Sequence, residues 1–386
     1  MRPGTPRRLL QLGVLAVVLV ATTLLLSWGS APRVPRGHNA LQLSECVVVE
    51  PVDTVADLNR FVRRTPGVPG MRGADVGIDL LLADGRRLWF FADTLQSDPD
   101  LTRFVHNSAL LTDGDCVRAV SGPGRSAVIP DRFDGVGYWP MSGFTIERPR
   151  RTTVVVLSQR VRAVGPGSFG FEILGPSVAV IGVPHGRRPQ LRRITDLGPD
   201  LAAADRPTWG AALARVGHRV YLYGTSTRPI SGVHGFALHV ARTRVADIAD
   251  ARGWHYWDGT GWNGDPARAT PVVGELGGVS QTLSVFPAEG RWWILSKQDE
   301  FLGTSLAVWP ADHPWGPFEP PIALLDIPCN PSTGELRYLA LAHPDLLPRP
   351  GTMVVSWSRN NPDVFEVCQH PGLYRPRFDR VRLPAD

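Results

Sequence analysis

Short apolar runs closed by turn-forming residues dominate the chain from about residue 43 onward. The runs are rich in Val, Ile, Leu, Phe and Trp, and they are bounded by Gly, Pro, Asp and Asn. The 40 glycines and 36 prolines are spread along the whole chain, whereas apolar residues at helical spacing are rare. Runs of this kind with this punctuation are typical of β-strands joined by turns. The sequence therefore predicts an all-β domain.

Pairs of these runs recur along the chain as hairpins. The clearest is VGIDLLLADGRRLWFFADTL, in which Asp84 and Gly85 form the tight turn. Grouping the runs gives about five sheets, roughly 55 to 70 residues apart, and a period of this size indicates propeller blades. The predicted sheets begin near Asp75, Trp139, Trp209, Val279 and Arg337. We predict a five-bladed β-propeller, with a two-sheet sandwich as the alternative, and short helical segments near Ala56 and Ala246.

The first 37 residues are predicted to direct export. MRPGTPRR is basic, and no charged residue occurs in LLQLGVLAVVLVATTLLLSWGSA, which runs from Leu9 to Ala31. This pattern predicts a signal peptide or a signal anchor, followed by a linker. A run of about 20 apolar residues can span a bilayer, and the small residues near Ser30 are equally suited to cleavage. In both cases residues 38–386 form one extracytoplasmic domain, secreted or anchored to the membrane.

The distribution of charge argues against a nucleic-acid groove. Lys297 is the only lysine among 41 basic residues, a bias typical of a GC-rich genome. The formal net charge is +5, but acidic and basic residues are interspersed without a long run of either sign. Such a distribution is typical of solvated surface. We therefore expect no nucleic-acid partner.

Four cysteines lie far apart, with no C-x-x-C pair that would indicate zinc or a redox motif. They are Cys46, Cys116, Cys329 and Cys368. Because exported proteins form disulfides, we predict two, although sequence alone allows three pairings. Cys46–Cys116 together with Cys329–Cys368 is preferred, because each bond closes a sequence-local unit. Four buried free thiols are the alternative.

Five segments, in a fixed order, resemble a known family. They read GADVGIDLLLADGRRLWFFADTL, WGAALARVGHRVYLYGT, LHVARTRVADIADARGWHYWDGTGW, HPWGPFEPP and LALAHPDLLPRPGTMVVSWSRNN. Together they are similar to the exported five-bladed propellers of domain-of-unknown-function family 4185, over residues 70 to 360. That family resembles the five-bladed furanosidases, and some members are endo-D-arabinanases that cut mycobacterial cell-wall arabinan. The resemblance implies a furanose polysaccharide of the cell envelope as the partner.

Two sites depart from the pattern of that family. Ala92 stands where the family has Gly before an Asp-Thr pair, and His106, Asn107 and Ser108 stand where a Ser-Asn pair is expected. Catalytic activity therefore does not follow from the resemblance alone. We keep two hypotheses. One is a glycoside hydrolase acting on a furanose polysaccharide such as arabinan, and the other is a catalytically silent propeller that binds envelope glycan or a protein partner.

Glycoside hydrolysis requires two carboxyl groups across the scissile bond. Asp75 precedes the first inner strand, and the resemblance places its counterpart at the mouth of the channel. It is predicted as the base or nucleophile, and a turn-capping aspartate is the alternative. Asp93 ends the strand WFFADT, where a carboxylate can orient a substrate hydroxyl or tune its neighbour. Its alternative is a buried aspartate bonded to backbone between blades.

The general acid must remain protonated near neutral pH, which partial desolvation favours. Glu335, just before the fifth inner strand, and Glu172, at a strand of the second blade, are the candidates. Glu275 and Glu300 rank behind them because they are placed in loops. For each glutamate, an ordinary surface position is the alternative.

Aromatic rings and one histidine complete the predicted site. Trp139 and Trp209 each open a blade and are predicted to stack on substrate sugars, although aromatic residues also fill the space between blades. His343, at the end of the fifth inner strand, is predicted to contact substrate, and it could meet a metal ion or a water there; a structural histidine is the alternative. No metal-ligand set and no cofactor are assigned, although a calcium ion could lie on the propeller axis.

Overall fold

The computed structural model describes residues 40–64, 68–96, 103–165, 170–228, 230 and 232–385. The predicted export segment lies outside these residues. Within them, no helix is long and apolar enough to cross a membrane. Two short α-helices occur there, α1 (Val55–Arg64) and α2 (Val364–Gln369). Helix α1 confirms the helical segment predicted near Ala56, whereas the segment near Ala246 forms two short 3₁₀ turns.

Five antiparallel sheets follow one another along the described chain. Sheet 1 contains β1 (Gln42–Leu43), β2 (Val47–Val48), β3 (Gly73–Leu81), β4 (Arg87–Gln96), β5 (Arg103–Val105), β6 (Ser108–Asp113) and β7 (Cys116–Ser121). Sheet 2 contains β8 (Gly137–Arg148), β9 (Arg151–Ala163), β10 (Phe171–Pro184) and β11 (Gln190–Asp196). Sheet 3 contains β12 (Thr208–Val216), β13 (Arg219–Ser226), β14 (Ala237–Arg244), β15 (His255–Trp257), β16 (Trp262–Asn263) and β17 (Pro271–Val273). Sheet 4 contains β18 (Ser284–Ala288), β19 (Arg291–Lys297), β20 (Ser305–Ala311) and β21 (Ile322–Asp326), and sheet 5 contains β22 (Leu336–Ala342), β23 (Thr352–Asn360) and β24 (Arg377–Arg382).

The innermost strands of the five sheets contact one another in a closed ring. Strand β3 lies against β8, β8 against β12, β12 against β18 and β18 against β22, and β22 returns to β3. A ring of antiparallel sheets around a central channel is a β-propeller. The all-β and propeller predictions are therefore confirmed, and the sandwich alternative is excluded. The predicted sheet starts agree with these strands to within a few residues.

Apolar side chains fill the space between neighbouring sheets. Phe90 of sheet 1 and Val156 of sheet 2 belong to one buried cluster, and Leu295 of sheet 4 and Val355 of sheet 5 belong to another. Strand β9 is buried along most of its length. A strand covered on both faces reads as a continuous apolar run, which accounts for the segment TTVVVL. These layers hold the innermost strands, and hence the channel, in place.

One of the two predicted disulfides is present. Cys46 and Cys116 are bonded, with 5.5 Å between their Cα atoms. Cys329 and Cys368 are free, so the second predicted disulfide is wrong. The Cys329 Sγ instead accepts a hydrogen bond from the backbone N–H of Arg337 at 3.3 Å, while Cys368 lies in α2 and packs against a separate apolar cluster. The two thiols therefore belong to different local environments.

Candidate active site

A cavity of about 420 Å³ lies at the beginnings of the innermost strands. Strand β3 contributes Asp75, β8 contributes Trp139, β22 contributes Tyr338, and the loop after β19 contributes Glu300. A second cavity of about 370 Å³ lies toward the opposite ends of the same strands. Met141 lines both cavities, so the two are neighbours along the channel.

A bulge in β3 places Asp75 in the cavity. The register between β3 and β4 shifts on both sides of Val76, whose φ is +67°. A branched residue rarely adopts this left-handed conformation. Bulges bend a strand and redirect a side chain, and here the redirected carboxyl lines the cavity.

Asp75 combines burial with an incomplete set of hydrogen bonds. The Tyr338 hydroxyl donates to its Oδ2 at 2.8 Å, whereas Oδ1 is buried and has no partner among the described residues. The nearby Tyr374 hydroxyl donates instead to the backbone oxygen of Asp93, at 2.8 Å. Burial, and secondly the carboxylate of Asp93, raise the pKa of Asp75 to about 7. Asp75 can therefore exchange a proton near neutral pH.

Asp93 lies beside Asp75 on the paired strand β4. The Trp139 indole N–H donates to Asp93 Oδ1 at 2.7 Å. Burial raises the pKa of Asp93, opposed by this hydrogen bond and by His106. His106 Nδ1 lies 2.9 Å from Asp131 Oδ2, and that hydrogen bond raises the pKa of the imidazole. The Asp93 side chain thus accepts a hydrogen bond from an indole of the cavity wall. The alternative considered from the sequence, hydrogen bonding to backbone between blades, is not what the structure has.

Glu300, which the sequence analysis ranked behind Glu335 and Glu172, lines the cavity. Its Oε2 accepts a hydrogen bond from the backbone N–H of Gln281 at 2.8 Å, and its Oε1 is buried without a partner in the described part of the chain. Burial raises the pKa of Glu300, opposed mainly by that hydrogen bond and also by Lys297. Asp299 and Glu300 both have left-handed φ values, +55° and +49°. The signal available in the sequence was its position just after the strand that ends in the sole lysine.

The two glutamates ranked first do not line this cavity. Glu335 Oε1 accepts from Arg337 Nε at 3.0 Å, and Glu172 forms an ion pair with Arg162. Only Arg162 of these four residues lines the cavity. Neither glutamate is therefore placed to act on a substrate bound in this cavity.

Trp139 lines the cavity as predicted, but Trp209 does not. The Trp139 ring packs edge-on against Phe171, with 4.7 Å between ring centroids. Trp209 is only 7 % exposed and packs against Trp254 and Tyr256, in the apolar layer between sheets 2 and 3. The structure corrects the prediction that Trp209 contacts substrate, because its ring belongs to the core.

His343 is a buried structural histidine. It is 1 % exposed, and its Nδ1 lies 2.6 Å from Asp79 Oδ1 while its Nε2 lies 2.7 Å from Ser356 Oγ. Asp79 also forms an ion pair with Arg87. Burial raises the pKa of Asp79, but His343 and Arg87 outweigh it and hold that pKa low. The predicted contact with substrate is thus corrected, because both ring nitrogens are already occupied, Nδ1 by Asp79 of sheet 1 and Nε2 by Ser356 within sheet 5.

The residues that depart from the pattern of family 4185 make structural contacts. The buried Asn107 amide donates to the backbone oxygens of Ile129 and Tyr138, at 2.9 and 3.0 Å, and accepts from the Ile129 N–H at 2.8 Å. Asn107 therefore ties sheet 1 to the start of sheet 2. Ala92 lines the cavity beside Asp93.

No metal centre is apparent in the described ranges. There, no group of three or more His, Cys, Asp or Glu side chains is arranged to hold a metal ion. We therefore assign no described residue to the calcium ion considered for the axis.

The fold and the cavity define this protein as a β-propeller with three carboxyl groups, Asp75 and Asp93 from sheet 1 and Glu300 from sheet 4, at one end of its channel. The family model described as Domain of unknown function (DUF5005) matches residues 56–383. The chain belongs to this family, and not to family 4185, which the motifs resembled. No curated protein matches the sequence.

Solved structures share the fold. A proposed hydrolase from Bacteroides ovatus is similar with a TM-score of 0.61 and 18% identity, over 92% of this chain and 96% of that chain. An α-L-arabinofuranosidase from Podospora anserina gives a TM-score of 0.45 and 10% identity, over 90% and 98% of the two chains. An α-L-arabinanase mutant from Cellvibrio cellulosa gives a TM-score of 0.40 and 10% identity, over 83% of this chain and 93% of that chain. The similarity to the Bacteroides ovatus protein is one of fold.

Proposed function

We propose that this protein is a glycoside hydrolase that cleaves a furanose polysaccharide of the cell envelope, such as arabinan. The observation that carries the proposal is that Asp75 and Glu300 reach one cavity from sheets 1 and 4. Each carboxyl group has one buried oxygen without a described partner, and burial raises the pKa of each. Two such groups are what acid/base glycoside hydrolysis requires.

The electrostatics favour Asp75 as the general acid, which reverses the role predicted from the sequence. Its neighbour Asp93 is a carboxylate, and a like charge favours the protonated form of Asp75. With a pKa of about 7, Asp75 holds a proton below neutral pH. In the proposed reaction this proton passes to the oxygen of the leaving sugar as the glycosidic bond breaks.

Glu300 then acts as the base or the nucleophile. Burial raises the pKa of Glu300, and the Gln281 N–H and the nearby Lys297 oppose that shift by favouring its ionised form. As a base it would take a proton from the attacking water, and as a nucleophile it would bond to the anomeric carbon before water releases the sugar. The separation of the two carboxyl groups in a substrate complex distinguishes these routes.

Aromatic side chains on the cavity wall suit the packing of sugar rings. Trp139, Phe171 and Phe301 all line the cavity, and aromatic faces combine a large apolar surface with a defined geometry. The hydrogen bond from Trp139 to Asp93 fixes the indole relative to the carboxyl groups. A sugar stacked there would lie beside Asp75.

We further propose that each of the five sheets is one blade and that residues 1–37 export the domain. The closed ring of five innermost strands supports the blade count. The uncharged run Leu9–Ala31 behind a basic start supports export, either as a cleaved signal or as an anchor in the membrane. An envelope polysaccharide would be accessible from that side.

The test is hydrolysis of a panel of furanose polysaccharides, including arabinogalactan, by the full-length protein in mild detergent. Release of oligosaccharides by the wild type and by Asp326→Asn, an exposed control on β21, together with its loss in Asp75→Asn, would support the proposal. If all three proteins bind the polysaccharide and none of them hydrolyses it, the result would instead support the silent-propeller alternative. Hydrolysis that Asp75→Asn leaves intact would refute the assignment of the site.

A further inference from the structure

Three arginines lie together on one face of sheet 3. Arg219 of β13 is directly opposite Arg244 of β14, and Arg242 of β14 is opposite Tyr221 on one side and His255 on the other. Residues opposite each other in an antiparallel pair, and residues two apart in one strand, share a face. The three guanidinium groups and the His255 imidazole therefore converge.

The three arginines have no ion-pair partner among the described residues, although one carboxylate, that of Asp247, lines the same cavity. Burial, and secondly Arg219, lower the pKa of Arg242. Like charges placed directly opposite each other destabilise a sheet. An anion between the arginines would remove this repulsion.

The arginines line a cavity of about 370 Å³ together with Thr243, Asp247, Gly253 and His255. The Arg242 guanidinium carbon lies 4.1 Å from the centroid of the Trp262 ring, and such cation–π contact holds a guanidinium in place. Asp247 is the one carboxylate of this lining, against three guanidinium groups. The cavity is thus concave, positively charged and partly preorganised.

We propose that this cavity on sheet 3 binds a phosphate group, at a site separate from the carboxyl pair of the channel. A phosphate monoester offers nearly two negative charges and three strong acceptor oxygens, which three guanidinium groups can share. Guanidinium is the side-chain group best suited to bidentate contact with phosphate. The described part of sheet 3 contributes no residue to the active-site cavity, so the two sites are distinct.

The test measures binding of inorganic phosphate by calorimetry to the full-length protein in mild detergent. The variants are Arg219→Gln with Arg244→Gln in one chain, and Arg188→Gln as a matched control. Arg188 is exposed and lies between β10 and β11, away from the cluster. We expect the double variant to lose about tenfold or more in affinity, because each hydrogen bond to a charged group contributes substantially. The control should bind as the wild type does.

The source of the phosphate is resolved by a second arm, in lipid nanodiscs. If phosphate binds in phosphatidylcholine discs but not in discs that also contain phosphatidic acid, a lipid headgroup fills the site. Equal binding of inorganic phosphate in the two kinds of disc indicates that the natural ligand is a soluble or polymer-borne phosphate. Equal phosphate affinity of the double variant and the wild type would overturn the proposal.

A stability measurement separates this role from a structural one. In phosphate-free buffer, Arg219→Gln should unfold at a temperature no lower than the wild type, because it removes a like charge opposite Arg244. Added phosphate should then raise the unfolding temperature of the wild type by more than that of the variant. A phosphate-induced rise of equal size in both proteins would contradict the assignment.

Discussion

Replacement of Asp93 by Asn should move the alkaline limb of the pH–rate profile to lower pH. In the proposed mechanism this limb belongs to Asp75, the general acid, and the rate falls as the pH rises through the Asp75 pKa of about 7. The Asp93 carboxylate raises that pKa by repelling the charged form of Asp75. The isosteric amide can still accept the indole hydrogen bond of Trp139 but carries no charge.

The size of the effect follows from the causes of the shift. Asp75 is raised from 3.8 to about 7, which corresponds to ~4 kcal/mol between its two protonation states. Burial is the larger cause and Asp93 the second, so Asp93 supplies less than half. We therefore expect the limb to move by about one pH unit, or ~1.4 kcal/mol.

The assay is the pH dependence of kcat/KM for the wild type, Asp93→Asn and the exposed control Asp326→Asn. A ¹³C NMR titration of the aspartate carboxyl groups follows Asp75 independently of turnover. The expected result is a lower midpoint in both measurements for Asp93→Asn alone. A limb that stays in place, or moves to higher pH, would refute the electrostatic coupling of the two carboxyl groups.

Three further predictions concern stability. Cys46→Ser should lower the free energy of unfolding by about 4 kcal/mol, since the disulfide closes a loop with a sequence separation of 70. Cys329→Ser should change that free energy little. Denaturant titration measures both variants, and equal losses would contradict the pairing. In the same titration, His343→Ala should lower the free energy of unfolding by about 3 kcal/mol, because it removes one hydrogen-bond partner of the buried Asp79. A loss below about 1 kcal/mol would contradict the structural role of His343. Because the pKa of Asp75 is raised in the folded state, the free energy of unfolding falls as the pH rises from 3.8 to about 7. At pH 8, Asp75→Asn should therefore melt at a higher temperature than the wild type. A lower melting temperature of the variant would argue against the burial of Asp75.

The repeat of sheets could be predicted because turn residues mark the start of each innermost strand. Asp75 could be found for the same reason, since it directly precedes an obvious hairpin. Trp209 carries the same signal as Trp139, as each opens a sheet. Whether a ring faces the channel or the layer between sheets depends on the local bulge and on the packing of the neighbouring sheet. Sequence spacing does not contain that information.

The place of Glu300 in the cavity could not be predicted from the sequence because it depends on an irregular loop. Two consecutive residues with left-handed φ values, Asp299 and Glu300, turn this loop. Neither is a glycine, the residue that would have indicated such a turn in the sequence. Glu335 was preferred because it precedes a strand, yet Arg337 pairs with it there. The free thiol of Cys329 has a similar explanation, since it contacts Lys297 and Phe301, which are distant from it in sequence.

The most direct test of the central claim compares Glu300→Gln with Glu335→Gln in hydrolysis of the polysaccharide that the wild type cuts. Loss of an acid/base group typically lowers the rate by about 100-fold or more. Such a loss is expected for Glu300→Gln, whereas Glu335→Gln should keep activity within about twofold of wild type, because Glu335 does not line the cavity. Full activity in Glu300→Gln, with loss in Glu335→Gln, would contradict the assignment of the carboxyl pair.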